Sequence, residues 1–342
     1  MVCYRDGFSC SIHRVPISDA RANALRKSLY KLLTSAEGHM TVQITEFVKK
    51  HSPTIVRLLN DEYRNSNEFI PFNEERVQSE IGNRRLKILV AEENGNVLGL
   101  VATHSHENME EHLSWLAATK GQDQRTIENM LVKELEKNVK TDAILIMIDE
   151  GSPKIADWTS RGYKLQPGFQ RMSAKLDGLK PIPKVDEATK LRSLRTDEEE
   201  QFIEAVNKGF GWKRLERGDL ETWKLEDPPF TEEWVQVAEV EERIVSVVVA
   251  KPDTDATKYL HLNRGYLGPA ATLPEFRTKH LASALTARAM NSLFKNGMDS
   301  VILGTSEQNV SSIALLRSLG FQVENVRKAL RKELRNPRAP TK

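Results

Sequence analysis

Two stretches of the chain carry the same order of apolar and polar runs. Residues 88–102 form two apolar runs joined by Asn94-Gly95, a hairpin signal, and residues 235–250 have the same form. Residues 142–148 and 299–305 then read as matching short apolar strands. Each is followed by a short helical stretch that stops at a glycine and an aromatic, Gly162-Tyr163 and Gly320-Phe321. The halves repeat in order, which points to two copies of one structural unit. The second half predicts β-α-α-β-β-β-α-β-α-β. A capping-box pattern at Thr196 and Glu199 opens a helix to about Gly209. Strands are expected over 234–240, 244–251 and 260–273. A helix starting near Arg277 places Leu281, Leu285, Ala289 and Leu293 on one face. A strand over 299–305 and a helix over 309–319 follow, with Asn309 as N-cap, Gly320 as C′ residue and a last strand after Phe321. In the first half, residues 41–48 alternate like an opening strand.

The repeat divides the chain into domains at 40–178 and 188–335, with a Pro-rich linker at 179–187 and a tail at 336–342. Residues 1–39 lie outside the repeat. Residues 18–33 have helical spacing, and Met40 directly precedes the first strand, so the segment reads as an amphipathic arm or as an upstream extension. A length of 342 residues accommodates two domains, and 29% charged with 39% hydrophobic residues suits packed globular structure. A formal net charge of +2 does not mark a nucleic-acid binder, and the basic residues from Arg327 to Arg338 read as a solvated strand and tail. The apolar run 244–250 is far too short for a membrane span, and the N-terminus lacks the apolar centre of a secretory signal. The expected compartment is the cytoplasm. Cys3 and Cys10 are the only cysteines, so neither a disulfide framework nor a cysteine zinc site follows.

The segment most suggestive of chemistry runs from Leu273 through Arg277-Thr278-Lys279-His280-Leu281-Ala282. A strand feeding a helix through a basic turn suits a phosphate, because free N–H groups of the first helical turn and the helix dipole both favour an anion. Some thirty residues on comes Asn309-Val-Ser-Ser-Ile-Ala-Leu-Leu-Arg-Ser-Leu-Gly-Phe321. Together the two segments resemble the GNAT superfamily of N-acetyltransferases, with its (Gln/Arg)-x-x-Gly-x-(Gly/Ala) and Asn-x-x-(Ala/Ser)-x-x-Leu-Tyr-x-x-x-Gly-Phe motifs. His280 stands where the family usually has glycine, and Leu316 where it often has tyrosine. The resemblance implies an α/β class with a mixed sheet: tandem GNAT folds, each a twisted mixed β-sheet flanked by helices. It also implies acetyl-CoA as co-substrate, with Arg277 to Ala282 as the diphosphate cradle. Leu273 would be the strand position whose backbone meets the acyl group, and Asn309 would contact the pantetheine arm.

Acyl transfer from a thioester to an amine needs a held cofactor, a donor for the developing oxyanion and a deprotonated amine. The family tyrosine that protonates the departing thiolate is Leu316 here, seven residues after Asn309 and so expected on the same helix face. Leucine cannot donate a proton. Tyr266 and Glu307 are the candidate acid–base residues, with His261 as a third. The expected acceptor is an amine, on a small molecule or at a protein N-terminus or lysine; no membrane or nucleic-acid partner is expected, and the oligomeric state is left open. A non-catalytic acyl-CoA-binding or scaffold protein is the alternative. In the first domain Asp123 falls where His280 does, and a carboxylate there would repel a diphosphate. His104, His106 and His112 lack a completing ligand, so no metal is expected.

Overall fold

The computed structural model of the chain describes residues 42–84, 86–105 and 110–334, the side chains of 83 and 84 excepted. The expectations on residues 1–39, His106 and the tail 336–342 lie outside these. The chain forms two compact units. Among the described residues, one comprises residues up to Gln166 together with those from Lys328, and the other spans Pro167 to Arg327.

The first unit has strands β1 (Gln43–Glu46), β2 (Lys87–Glu93), β3 (Asn96–Ser105), β4 (Glu111–Ala118) and β5 (Ala143–Asp149) side by side, completed by the last residues of β12 (Gln322–Glu333). Neighbours from β1 to β4 are antiparallel, while β4 and β5 are parallel. The hairpin β2–β3 turns at Asn94 and Gly95 with φ of 50° and 81°, the left-handed pair that an Asn-Gly turn supplies. Helices α1 (Ser52–Tyr63) and α2 (Glu74–Arg84) cover one face, burying Ile55, Leu58 and Val77 with Leu100, Trp115 and Ala117. Helix α3 (Gln124–Asn138) covers the other, where Ile127, Leu131 and Leu135 meet Val101, Leu113 and Leu116. The short α4 (Lys154–Ser160) ends at Gly162, and its Trp158 stacks edge-on against Tyr163 at 4.8 Å. Leu330 of β12 is fully buried in the same core.

In the second unit the strand order is β12, β6 (Lys164–Lys175), β11 (Ser300–Ser306), β10 (Arg264–Thr272), β9 (Arg243–Pro252), β8 (Val235–Val240) and β7 (Lys190–Ser193). Only β10 and β11 pair in parallel among the registers described. Helices α5 (Glu199–Phe210), α6 (Asp219–Glu226), α7 (Leu281–Lys295) and α8 (Val310–Ser318) flank the sheet. A Cβ on Gly265 would fall 2.4 Å from Leu293, so α7 lies tight on that side of β10. The next residue, Tyr266, shares the opposite face with Lys251 and with Trp223 of α6, as strand alternation requires.

Local differences from the sequence reading have physical causes. The capping box at Thr196 does not form. Helix α5 starts at Glu199, and the Glu198 carboxylate instead accepts the Arg195 N–H at 3.0 Å and pairs with the Arg192 guanidinium at 2.7 Å. Strand β10 starts at Arg264 rather than residue 260, because a helical turn, Ala256–Leu260, and a left-handed His261 precede it. Helix α7 starts at Leu281, four residues after Arg277. The stretch expected to link the halves is pinned to α7: Lys180 and Asn291 exchange two hydrogen bonds of 2.7 and 2.9 Å. Residues 169–175 pair with β11, and residues from Lys328 complete the first unit. Each unit therefore takes one strand end from the stretch assigned by sequence to the other half.

Candidate active site

Strand β10 carries the site. Its parallel pairing with β11 covers Arg264↔Ser300, Gly265↔Val301 and Tyr266↔Ile302. Beyond Tyr266 no further pair joins them among the described residues, although β10 rejoins β9 at Ala270 and β11 stays paired with β6 as far as Ser306↔Phe169. The two strands part. The cause is a bulge, with Gly268 and Pro269 set opposite the single residue Val249. An extra residue bends a strand, and proline has no N–H to offer a ladder. Gly268 has φ of 146°, and a Cβ there would fall 3.1 Å from the Tyr266 ring and 3.3 Å from its hydroxyl. Only glycine leaves room for that ring, whose hydroxyl sits where the strands separate.

Next to the ring is a buried ion pair. Lys251 Nζ donates to Asp227 Oδ2 at 2.9 Å, and Thr254 donates to Oδ1 at 2.9 Å. The ammonium lies 5.3 Å from the Trp223 ring centre and 6.0 Å from that of Tyr266. Sequence reasoning missed this group. The usable signal was Gly268-Pro269 inside an apolar strand, which marks a bulge.

At the far end of β10 the chain turns through Pro274–Phe276 into α7. Thr278 and His280 have φ of 65° and 60°, in the left-handed region, and His280 passes directly into helical Leu281. A left-handed residue beside a right-handed one turns successive N–H groups inward as an anion nest. The first-turn N–H groups of α7 have no acceptor within the helix, and no side chain caps them. Thr278, Lys279 and His280 are exposed, Ala282 is half-buried and Leu281 is buried. Arg277 Nη2 donates to Gly209 O at 2.9 Å, which ties this turn to the end of α5. Lys279 Nζ lies 4.9 Å over the Phe276 ring.

Residues 191–321 match the model of the Acetyltransferase (GNAT) family. The chain is similar in structure to a GCN5-related N-acetyltransferase from Sphaerobacter thermophilus, at 15% identity and a TM-score of 0.63 over 86% of this chain and 96% of that one. A tandem GNAT protein from the clavulanic acid biosynthesis pathway aligns at 14% identity and a TM-score of 0.62, over 87% of this chain and all of that one, at 100%. A GNAT-family acetyltransferase from Colwellia psychrerythraea aligns at 10% identity with a TM-score of 0.55, covering 85% of this chain and 99% of the other. No curated protein sequence matches the chain.

Residues 191–321 form a GNAT-family domain. The described part of the chain has the tandem GNAT fold. The backbone at His280 explains the family's glycine there: the position is left-handed, and histidine holds it against a steric cost.

The remaining candidates fall as follows. Leu273 is 1% exposed, and its N–H is already donated to Val245 O at 2.9 Å. Glu307 Oε2 accepts the Gly168 N–H at 2.6 Å while Glu307 N donates to Gly168 O at 3.0 Å, so this residue fastens β11 to β6. Asn309 caps α8, accepting the Ser312 N–H at 3.2 Å. Leu316 does not share its exposed face. It is 3% exposed and belongs to the apolar core with Leu303 and Phe321, since α8 must bury one side. His261 lies before β10, at the end away from the cradle.

The first unit repeats the parting strands, but the residue before its helix is not left-handed. Strands β4 and β5 pair only at Glu111↔Ile144 and His112↔Leu145, and Ser114 is the extra residue of a bulge. The bulge reverses the strand's faces, so Leu113 and Trp115 enter different cores. Ser114 Oγ lies 2.8 Å from His104 Nδ1, and the His104 and His112 rings stack at 5.3 Å. Among the described residues no three potential ligands gather as a metal would require. Asp123, ahead of α3, has φ of −91° and is exposed, and Arg125 is held by Asp157 at 2.8 Å. Among the described residues no helix is long and apolar enough to cross a membrane.

Proposed function

We propose that the second unit transfers an acetyl group from acetyl-CoA to an amine. The observation that carries this reading is the parting of β10 and β11 at the Gly268–Pro269 bulge, in line with the left-handed turn that opens α7. The N–H groups of His280, Leu281 and Ala282 would hold the diphosphate, with Lys279 supplying charge and Arg277 shaping the turn. The gap between the strands would take the pantetheine arm, with Asn309 at its edge. Leu273 contributes packing, because its N–H is taken.

The protonated acceptor amine loses one proton to solvent, its nitrogen attacks the thioester carbonyl carbon, and the nitrogen then releases a second proton to solvent. The C–S bond then breaks and coenzyme A leaves as the thiolate. A free amine near pKa ~10 is mostly protonated at neutral pH, whereas a thiol near pKa ~8.5 leaves readily. Tyr266 is the proton donor assigned to the thiolate, from its place over Gly268 at the parting of the strands. Glu307 is assigned a positioning role through Gly168. A second reading, acyl-CoA binding without turnover, is favoured by the burial of Leu316 where the family tyrosine would stand.

Thiol release from acetyl-CoA with a panel of amines separates the two. The enzyme reading expects amine-dependent release that Tyr266→Phe lowers on the order of a hundredfold, with affinity for acetyl-CoA unchanged. Binding without release under every amine would leave the second reading standing.

A further inference from the structure

The strongest feature that the acetyl-transfer reading leaves unused lies in the first unit. A cavity of about 360 Å³ opens between the start of α1 and the β2–β3 turn, with Thr119 at one side. That volume is at the small end of ligand sites, which run from roughly 300 to 1,000 Å³. Its lining includes Lys50, His51, Thr54 and Arg57, and the Glu92 carboxylate lies behind His51, 3.1 Å from its Nε2. Both cations are weakly committed. Lys50 is 70% exposed with Glu92 at 4.0 Å, and Arg57 is 57% exposed with Asp61 at 3.9 Å, each at the outer limit of an ion pair.

The inner wall is rigid and polar. His51 is 4% exposed, and its Nδ1 accepts the Val48 N–H at 3.2 Å. That assigns the ring proton to Nε2, which faces Glu92 Oε1 at 3.1 Å. Both atoms are sealed from solvent, yet they meet off the hydrogen-bond line. Glu92 is fixed in turn by the Thr45 hydroxyl, which donates to Oε2 at 3.0 Å. A buried imidazole–carboxylate pair with imperfect geometry is costly to keep in a wall that only packs. Val97 supplies an apolar surface beside it.

We propose that this cavity is a binding site for a small organic anion, a phosphate ester or a carboxylate. Lys50 and Arg57 would pair with the anionic group, and Thr54 and Thr119 would supply hydroxyl donors. The site is independent of acetyl transfer and belongs to the first unit.

Calorimetric titration of the full chain with glycerol 3-phosphate and with succinate tests this, with uncharged glycerol as control. The expected result is saturable binding of at least one anion and none of glycerol. The double variant Lys50→Ala, Arg57→Ala should weaken binding more than about tenfold while leaving acetyl-CoA affinity unchanged. Both side chains are more than half exposed, so the variant keeps its fold, which its melting curve checks. The tighter-binding anion identifies the head group. No binding of either anion, or equal binding by the double variant, overturns the proposal.

Discussion

His280 and Leu316 are the two departures from the family motif, and they have opposite meanings. His280 occupies a left-handed position, so His280→Gly should stabilise the chain by about 1 kcal/mol and keep acetyl-CoA affinity, because backbone rather than side chain forms the nest. Thermal melting and calorimetry on one preparation measure both. Leu316 is core, so Leu316→Tyr should overpack it and cost about 1–3 kcal/mol without restoring a proton donor. A Leu316→Tyr chain that melts normally and turns over faster would contradict that placement. The strand–turn–helix around residues 277–282 was legible in the sequence, although the helix starts only at Leu281. The sequence could not reveal that Glu307 is spent on Gly168 or that Lys251 and Asp227 flank Tyr266, because those partners lie 139 and 24 residues apart. His51 adds a pH dependence. Burial lowers its pKa from 6.5, opposed by Glu92, with Lys50 also lowering it. The unfolded chain therefore takes up the proton first as pH falls. Stability of the first unit should decline as pH drops through 6.5 and level off below the folded-state pKa. Melting temperatures between about pH 7.5 and about pH 5.5 should show this slope, and His51→Gln should flatten it.

Strand ends reach further than the hydrophobic pattern suggests. Pairing partners are set by tertiary packing, so the Pro-rich stretch looked like a boundary although residues 169–175 pair with β11 and residues from Lys328 complete the first unit. Hairpins, the short apolar strands over 142–148 and 299–305 and the glycine stops were legible because each has a local signal. The second hairpin turn was less so. Glu241 and Glu242 take φ of 49° and 60° there without glycine or asparagine. The end of β12 is a structural part of the first unit: Leu330 is fully buried, and Lys332 Nζ donates to Glu136 at 2.8 Å and to Arg161 O at 2.9 Å. Leu330→Ala should cost about 2–5 kcal/mol. Hydrogen exchange should accelerate in β5 and α4 while β9 and α7 stay protected. Uniform exchange across both units would contradict this allocation. A cut within 179–187 would leave each half without one of its strand ends, so ligand binding has to be assigned on the intact chain.

Two copies of one fold differ in the turn that follows their parting strands. Both have a parallel strand pair that parts at a bulge, between β4 and β5 and between β10 and β11. Both turns carry exposed cations and a positive-φ residue, Gly121 at 147° and Thr278 at 65°, but only in the second is the residue directly before the helix left-handed, His280 at 60° against Asp123 at −91°. The central claim is that this difference leaves one acetyl-CoA site per chain, at the start of α7. Titration of the intact chain with acetyl-CoA, beside Ala282→Asp, tests it most directly. A carboxylate at Ala282 would face the diphosphate at the helix start, and like-charge repulsion there is on the order of several kcal/mol. The account predicts one molecule bound per chain, and binding lost in a variant that melts like the parent. Two molecules per chain, or unchanged affinity in folded Ala282→Asp, would contradict it.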